Sequence, residues 1–124
     1  MIADERVREY IHSLEPDEDE LCREIARKAK RDRIPIIKKE TAALLKTLVA
    51  SRRPGAVLEV GTAVGYSALL MAGVMPPSCT ITTIENYEPR IRAARENFRR
   101  AGVQESVTLL EGDAGEILGK LKGP

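Results

Sequence analysis

The first third of the chain repeats apolar residues at the spacing of helix faces. An i, i+3, i+4, i+7 pattern predicts a short first helix that ends before Pro16. Its apolar positions are Val7, Tyr10, Ile11 and Leu14. Asp17 is placed to cap a second helix, and Pro35 marks a break beyond the end of that helix. The apolar positions of the second helix are Leu21, Cys22, Ile25 and Ala29.

A third helix is predicted to begin near Lys38. Its apolar positions are Thr41, Leu44, Leu45, Leu48 and Val49. We interpret the three helices, over residues 1–53, as a helical layer of one domain that spans residues 1–124.

The period changes after Pro54 and Gly55, where short apolar runs alternate with helical segments. Strands are predicted over 56–60, 80–84 and 107–110, and helices over 66–74, 89–101 and 114–121. Pro89 suits a first helical position, and Gly102 is placed to end that helix. The β-α-β-α-β-α order over residues 54–124 predicts an α/β fold of Rossmann-like type, with a parallel sheet and right-handed crossovers.

Composition is consistent with one small α/β domain. The chain has 124 residues, is 43% hydrophobic and only 3% aromatic, so its core must be built from aliphatic side chains. No apolar run is long enough to cross a membrane, and Cys22 and Cys79 match no metal-ligand spacing. We therefore expect a cytoplasmic protein with reduced thiols.

Charge is segregated along the chain although the formal net charge is only +1. Residues 1–20 contain two Arg against eight Asp or Glu, whereas residues 21–54 contain eleven Lys or Arg against three acids. The densest basic cluster is Arg27, Lys28, Lys30, Arg31, Arg33, Lys38 and Lys39. This cluster is either a solvated helix face or a surface that meets nucleic-acid phosphates.

The informative positions of such a sheet follow the carboxyl ends of its strands, where ligands bind. After the first strand, Gly61 and Gly65 lie in a turn that suits an anion, or that is simply a tight connection. Glu85 follows the second strand, 24 residues beyond Gly61, and is either a ribose ligand or a solvated acid. After the third strand, Asp113 either caps the next helix or accepts from an adenine amino group.

Together the three strand ends favour a nucleoside that carries an anionic arm. A dinucleotide is disfavoured because its fingerprint needs glycines where this sequence has Ala63 and Tyr66. Without those glycines the backbone cannot approach a pyrophosphate closely.

These motifs resemble those of the cation-dependent O-methyltransferases, which use S-adenosylmethionine and include the catechol and caffeoyl-coenzyme A enzymes. The strongest element is V-L-E-V-G-T-A-V-G-Y-S-A-L-L-M-A at 57–72. Further similarity covers I-P-I-I-K-K at 34–39, I-T-T-I-E-N at 81–86, A-G-V-Q at 101–104 and V-T-L-L-E-G-D-A at 107–114. Within the family, the sequence is most similar to the bacterial branch that methylates 5-hydroxyuridine in transfer RNA.

The resemblance implies a set of cofactor-binding residues. Ile37 would lie against S-adenosylmethionine, Glu85 would hold the ribose hydroxyls, and Ser67 would bind the carboxylate at the helix start. The other residues implied around the methionine portion are Glu59, Gly61, Thr62 and Gly65. Those implied around the adenine are Gly112, Asp113 and Ala114.

The resemblance also implies what the chain lacks. We expect only the N-terminal half of the methyltransferase fold. The family's metal ligands follow later strands, so no catalytic or metal-binding residue is assigned in this chain. A divalent cation such as Mg²⁺ is expected only in a full-length protein, and the chain alone is expected to be inactive.

Expected partners are the methyl donor, transfer RNA as a candidate, and a second copy or a C-terminal fragment. The alternative is a non-catalytic module that binds RNA or another partner and keeps the loop for structure.

Overall fold

The computed structural model describes residues 4–123, which form six helices and three strands. The helices are α1 (Glu5–Leu14), α2 (Glu20–Arg31), α3 (Lys39–Arg52), α4 (Tyr66–Ala72), α5 (Glu88–Ala101) and α6 (Ala114–Lys120). The strands are β1 (Ala56–Val60), β2 (Thr80–Glu85) and β3 (Val107–Glu111). The predicted α/β order is confirmed, and β2 and β3 each extend one residue beyond the sequence prediction.

Helix ends follow local capping chemistry. Pro89 lies in the first turn of α5, and Gly102 ends that helix with a φ of 68°, both as predicted. The prediction that Asp17 caps α2 is wrong, because the helix begins at Glu20 and Asp19 is the residue before it. The Asp19 carboxylate accepts a hydrogen bond from the Cys22 amide at 2.8 Å.

The three strands are parallel and lie in the order β1-β2-β3. Their register pairs Val57 with Ile81 and Glu59 with Thr83, so side chains 24 positions apart share one face of the sheet. On that face Ile81 and Thr83 are fully buried. The opposite face is more open, since Leu58 on β1 is 51% exposed.

The core lies between the sheet and the helices, and small side chains allow close packing there. Helices α2 and α3 both contact α4, with Ala29, Ala42 and Val49 buried. The apolar face predicted for α3 is partly wrong, because Leu44 and Leu48 are 60% and 57% exposed. The smaller residue Ala42 faces the core instead, which lets the helix axes approach each other.

Helix α1 is held by polar contacts, and none of its residues is buried. His12 Nε2 lies 3.0 Å from Glu40 Oε2 on α3, and Lys46 of α3 donates to Glu15 at 2.6 Å. The hydrogen bond from His12 lowers the pKa of the Glu40 carboxyl. His12 therefore has a surface role, in which it tethers α1 to α3.

Both cysteines are buried and free, as expected of core residues. Burial, with the Asp19 carboxylate nearby, raises the pKa of the Cys22 thiol to about 12, so the thiol stays protonated and unreactive. Within residues 4–123, no helix has the length and apolar character that crossing a bilayer demands.

One edge of the sheet is open at β1. The Thr80 amide donates to the Gly55 carbonyl, and the Gly61 amide donates to the Ile84 carbonyl. Because every second residue of a parallel strand bonds to the same neighbour, the odd-numbered residues of this segment are the ones bonded to β2. The backbone groups of Ala56, Leu58 and Val60 therefore point away from β2. No strand among residues 4–123 pairs with them.

We predict that this edge becomes covered in concentrated solution, because unpaired strand edges with apolar side chains associate with other chains. Light scattering should give a mass above that of the monomer, and hydrogen exchange should show protected amides at Leu58 and Val60. The amides of Val57 and Glu59 are the internal control, since they face β2 and should exchange slowly in any state. A stable monomer with fast exchange at Leu58 and Val60 would contradict the prediction.

Candidate functional site

A cleft of about 270 Å³ opens at the carboxyl end of β1. The loop between β1 and α4 forms one wall, and the segment between α2 and α3 forms the other. Its lining residues are Pro35, Ile36, Ile37, Gly61, Thr62, Ala63, Tyr66 and Ser67. The structure thus brings four of the predicted site residues, Ile37, Gly61, Thr62 and Ser67, into one cavity.

The loop backbone requires glycine at two positions. Gly61 and Gly65 have φ values of 93° and 87°, in the left-handed region that L side chains rarely adopt. At Gly65 a Cβ atom would also lie 2.6 Å from Cε1 of Phe98 on α5. Ala63 has a φ of 49° without being glycine, so some backbone strain is retained in the loop.

Hydrogen bonds from neighbouring elements hold the loop in this conformation. The amides of Gly61 and Thr62 both donate to the Ile84 carbonyl on β2, at 2.9 and 3.1 Å. On the α5 side, Asn97 Nδ2 donates to the Val64 carbonyl at 2.8 Å. Sequence reasoning missed Asn97, because nothing in its local pattern separates it from other polar residues of the helix. The loop is therefore preorganised by the fold itself.

Glu85 closes the loop from the end of β2. Its Oε2 accepts from the Ala63 amide at 2.9 Å, and its Oε1 accepts from the amides of Asn86 and Tyr87 at 3.1 and 3.2 Å. The residue is only 8% exposed, so these bonds fix the orientation of the carboxylate. Oε1 uses both of its lone pairs in these bonds, whereas Oε2 keeps one, which leaves acceptor capacity for a ligand hydroxyl.

A chain of hydroxyl groups lies beneath the cleft around Glu59. Thr83 donates to Glu59 Oε1 at 2.6 Å, and Ser67 donates to Oε2 at 2.5 Å. The hydroxyl of Thr62 lies 2.7 Å from that of Thr83. Burial raises the pKa of the Glu59 carboxyl, and the hydrogen bonds from Ser67 and Thr83 offset part of that rise.

Sequence reasoning also missed Thr83, although a signal was present. The 24-residue offset that links Gly61 to Glu85 also links Glu59 to Thr83, so a parallel register would have placed the two side chains together. The Ser67 hydroxyl is placed to donate to Glu59 Oε2. Donation to a ligand carboxylate, the role implied for Ser67 by resemblance, would require that bond to break.

The end of β3 lies farther from the cleft. Gly112 donates to the Glu85 carbonyl at 2.9 Å, which joins the ends of β2 and β3. Asp113 caps α6 by accepting from the Glu116 amide at 3.0 Å. Asp113 and Ala114 are absent from the lining of the cleft within the described part of the chain, so a role beside adenine stays a prediction.

Tyr66 joins the cleft to the N-terminal helices. Its ring is buried, and its hydroxyl donates to Glu18 Oε1 at 2.6 Å, just before α2 begins. Burial and the Glu18 carboxylate both raise the pKa of the Tyr66 phenol, which keeps it protonated as a donor. This contact links the start of α4 to the segment that precedes α2.

The acids around the cleft do not form a metal site by themselves. Across residues 4–123, no group of three or more His, Cys, Asp or Glu side chains is arranged to bind a metal ion. Glu59 and Glu85, the acids nearest the cleft, are instead occupied by hydroxyl and amide donors.

Comparison with known proteins identifies the family. A family model described as O-methyltransferase matches residues 11–123. The chain belongs to the O-methyltransferase family. Catechol O-methyltransferase of Sus scrofa is 32% identical over 92 residues, which are 74% of this chain and 50% of the pig enzyme. A transmembrane O-methyltransferase homologue of Mus musculus is 36% identical over 80 residues, which are 64% of this chain and 31% of the mouse protein.

Solved structures of O-methyltransferases share the fold. The enzyme TomG of Streptomyces achromogenes, in complex with S-adenosylmethionine, is 31% identical with a TM-score of 0.84, and the match covers 100% of this chain and 58% of TomG. An S-adenosylhomocysteine-bound methyltransferase of Podospora anserina is 28% identical with a TM-score of 0.85, covering 95% of this chain and 52% of that one. The chain thus spans about half the length of these relatives.

We predict that Gly65→Ala lowers the stability of this O-methyltransferase-family chain by about 1–3 kcal/mol, through a strained φ and a clash with Phe98. Thermal unfolding followed by circular dichroism measures the change. Gly55→Ala is the matched control, because no atom lies within 4 Å of the place that a Cβ would take there and its φ is ordinary. Equal melting temperatures for the two variants would contradict the assigned strain.

The raised pKa of Glu59 predicts a pH-dependent effect of Glu59→Gln on stability. The unfolded carboxyl ionises near 4.5 and the folded one at higher pH. Between these values the unfolded state has lost a proton that the folded state retains, so stability falls as pH rises through this window. Gln cannot ionise, and the melting temperature of the variant relative to the parent should rise from pH 4.5 towards neutrality. A constant difference across that range would argue against burial of an ionisable Glu59.

Proposed function

We propose that the chain binds S-adenosylmethionine in the cleft and forms the methyl-donor part of an O-methyltransferase. The observation that carries this proposal is a cavity formed by a preorganised glycine loop and an apolar wall, with the Glu85 carboxylate bonded to the Ala63 amide of that loop. The relatives support it, since TomG was solved with S-adenosylmethionine and the Podospora anserina protein with S-adenosylhomocysteine.

Each part of the cleft suits one part of that ligand. We assign the ribose hydroxyls to Glu85, whose carboxylate keeps free acceptor capacity and has a fixed orientation. The methionine portion would lie along Gly61, Thr62 and Ser67, where the absence of Cβ at Gly61 leaves the backbone accessible. Ile37 would pack against the ligand from the opposite wall and exclude water from it.

Gly65 and Glu59 support the same portion from behind, through packing on Phe98 and through Ser67. We retain Gly112, Asp113 and Ala114 as candidates for the adenine border, because Gly112 bonds directly to the backbone of Glu85. The residues of this chain would therefore bind and orient the methyl donor. The acceptor would be held by other parts of the protein.

The acceptor class is a proposal with two candidates. A catechol-like hydroxyl is supported by the similarity to catechol O-methyltransferase. The hydroxyl of 5-hydroxyuridine in transfer RNA is supported by exposed cations near the cleft that make no ion pair with a carboxylate within residues 4–123. These are Lys28, Lys30, Arg33, Lys38 and Lys39. We place either reaction in the cytoplasm, where the free buried thiols would stay reduced.

The test is calorimetric titration with S-adenosylhomocysteine. We expect saturable binding, weakened in Glu85→Gln by about 1.5–3 kcal/mol because a charge-assisted bond to a ribose hydroxyl is lost. Glu111→Gln is the matched control, since Glu111 is the register partner of Glu85 on β3 but is exposed and paired with Arg95.

Absence of heat at millimolar ligand would contradict the proposal and favour the alternative, a non-catalytic module that keeps the loop for structure. Equal affinities of Glu85→Gln and the parent chain would remove Glu85 from the ribose site. Melting temperatures of both variants, measured without ligand, separate loss of the loop bond to Ala63 from loss of ligand contacts.

A further inference from the structure

Tyr87 is an exposed aromatic residue at the start of α5, two positions beyond Glu85. It is 55% exposed and occupies the N-cap position, where its side chain makes no capping bond to the helix. Ser, Thr, Asp or Asn at that position would accept a hydrogen bond from the first amides of α5 and stabilise the helix. An exposed ring also adds little to the core. Neither helix formation nor packing therefore explains a tyrosine at this position.

The Tyr87 ring is restrained beside the candidate site. The Tyr87 amide donates to Glu85 Oε1 at 3.2 Å, and Glu85 Oε2 accepts from the Ala63 amide of the glycine loop at 2.9 Å. The guanidinium of Arg90 lies over the ring, 5.4 Å from its centroid. This cation–π contact occupies one face of the ring and limits its motion. The exposed part of the ring is thus a flat surface whose orientation is restrained.

Helix α2 runs antiparallel to α5 and brings cations close to this ring. Near the start of α2, Glu24 pairs with Arg100 at the other end of α5, with an N···O distance of 2.7 Å. One turn later on α2, Lys28 lines a cavity together with Ala93, which is two turns earlier on α5. Ile34, beyond the end of α2, lines the same cavity. The residues that follow α2 therefore lie beside the first half of α5, close to where that helix begins.

Cations of this surface are available for phosphates. Lys28 and Arg33 are exposed, and neither they nor Arg90 pairs with a carboxylate within residues 4–123. Exposed cations beside an exposed aromatic ring are the combination that holds single-stranded nucleic acid, because the cations bind phosphates and a base stacks on the ring. A protein partner would require a wider apolar patch than the single ring of Tyr87 supplies. Charge and chemistry together therefore favour a nucleic-acid strand as the occupant.

We propose that Tyr87 is a base-stacking residue: an unpaired base of an RNA strand packs on the ring face opposite Arg90, while the neighbouring cations attract its phosphates. The inference rests on the proposed function for the place of the methyl donor, and it deepens that function by favouring an RNA acceptor over a small catechol-like molecule. Tyr87 holds the strand at the rim of the cleft and does not touch the methyl donor. Since every base has a flat face, this contact contributes affinity for unpaired strands and not for a particular sequence.

The experiment measures binding of fluorescein-labelled oligouridine by fluorescence anisotropy at several salt concentrations, with a fully paired RNA duplex of the same length for comparison. Tyr87→Leu removes the ring, and Tyr87→Phe keeps it. Tyr87→Asn removes the ring and supplies a cap for α5. Tyr10→Leu is the matched control, because Tyr10 is a similarly exposed tyrosine, at 63%, on α1. Lys28→Gln removes one cation of the surface.

We expect the parent chain to bind oligouridine more tightly than the duplex. Tyr87→Leu and Tyr87→Asn should each weaken oligouridine binding about tenfold, the effect expected when one stacked base is lost. Tyr87→Phe and Tyr10→Leu should bind like the parent. Lys28→Gln should lower the slope of log affinity against log salt by about 0.7, whereas the Tyr87 variants should leave that slope unchanged.

Thermal unfolding separates stacking from a structural role. Tyr87→Asn should melt a few degrees above the parent, because Asn caps α5, although it binds oligouridine less tightly. If Tyr87→Asn loses stability and RNA affinity together, Tyr87 is structural and the proposal is overturned. This variant also decides the question if Tyr87→Leu does not fold.

The remaining outcomes separate this inference from the proposed function. Parental RNA affinity in Tyr87→Leu, or equal losses in Tyr87→Leu and Tyr10→Leu, would overturn the stacking role. Weaker binding of S-adenosylhomocysteine by Tyr87→Leu would assign the ring to the methyl-donor site and overturn it as well. Absence of oligouridine binding by the parent chain at low salt would overturn this inference and leave the methyl-donor site intact. Absence of S-adenosylhomocysteine binding, with oligouridine binding retained, would overturn the proposed function while supporting the stacking role.

Discussion

The parallel register between β1 and β2 is the constraint on which the rest of the site depends. It places Glu59 beside Thr83, and it brings the first residues of the loop onto the Ile84 carbonyl. The same register sets Glu85 level with the loop, where its carboxylate reaches the Ala63 amide. A shift of one residue would send all these side chains to the other face of the sheet and dismantle the site.

The loop after β1 is ordered by contacts within the fold. Its amides and carbonyls are already bonded to β2 and α5, and Phe98 fills the space that a side chain at position 65 would need. The entropy of ordering this segment is therefore lost during folding, so the proposed binding of a methyl donor would not have to order it. Strain at Ala63 persists because the surrounding bonds overdetermine the backbone there.

Most elements of the fold could be predicted from sequence because their signals are local. The bounds of β1 agree with the predicted strand over 56–60, and the end of α5 at Gly102 follows from the need for a left-handed conformation. The errors arose where packing between elements determines which side chains are buried. Leu44 and Leu48 fit a helical period but lie exposed, because the contact with α4 favours the smaller Ala42.

The residues of the candidate site also differ in whether a local sequence signal marks them. Gly61, Ser67 and Glu85 could be found because each follows a strand end at a recognisable spacing. Asn97 could not, since its contact with the Val64 carbonyl depends on how α5 packs against the loop. The hydrogen bond between Ser67 and Glu59 also escaped prediction, because it depends on how the start of α4 packs against β1.

The charge-held attachment of α1 has a consequence for local stability. A helix without buried residues adds little hydrophobic free energy, and the ion pair between Glu15 and Lys46 is a contact that dissolved salt weakens. Transient detachment of α1 is therefore expected to cost less free energy than opening of the helices that contain buried residues. The chain leads directly from α1 to Glu18, which anchors Tyr66 at the cleft. Ionic strength thus becomes a physical control on how rigid one wall of the site is.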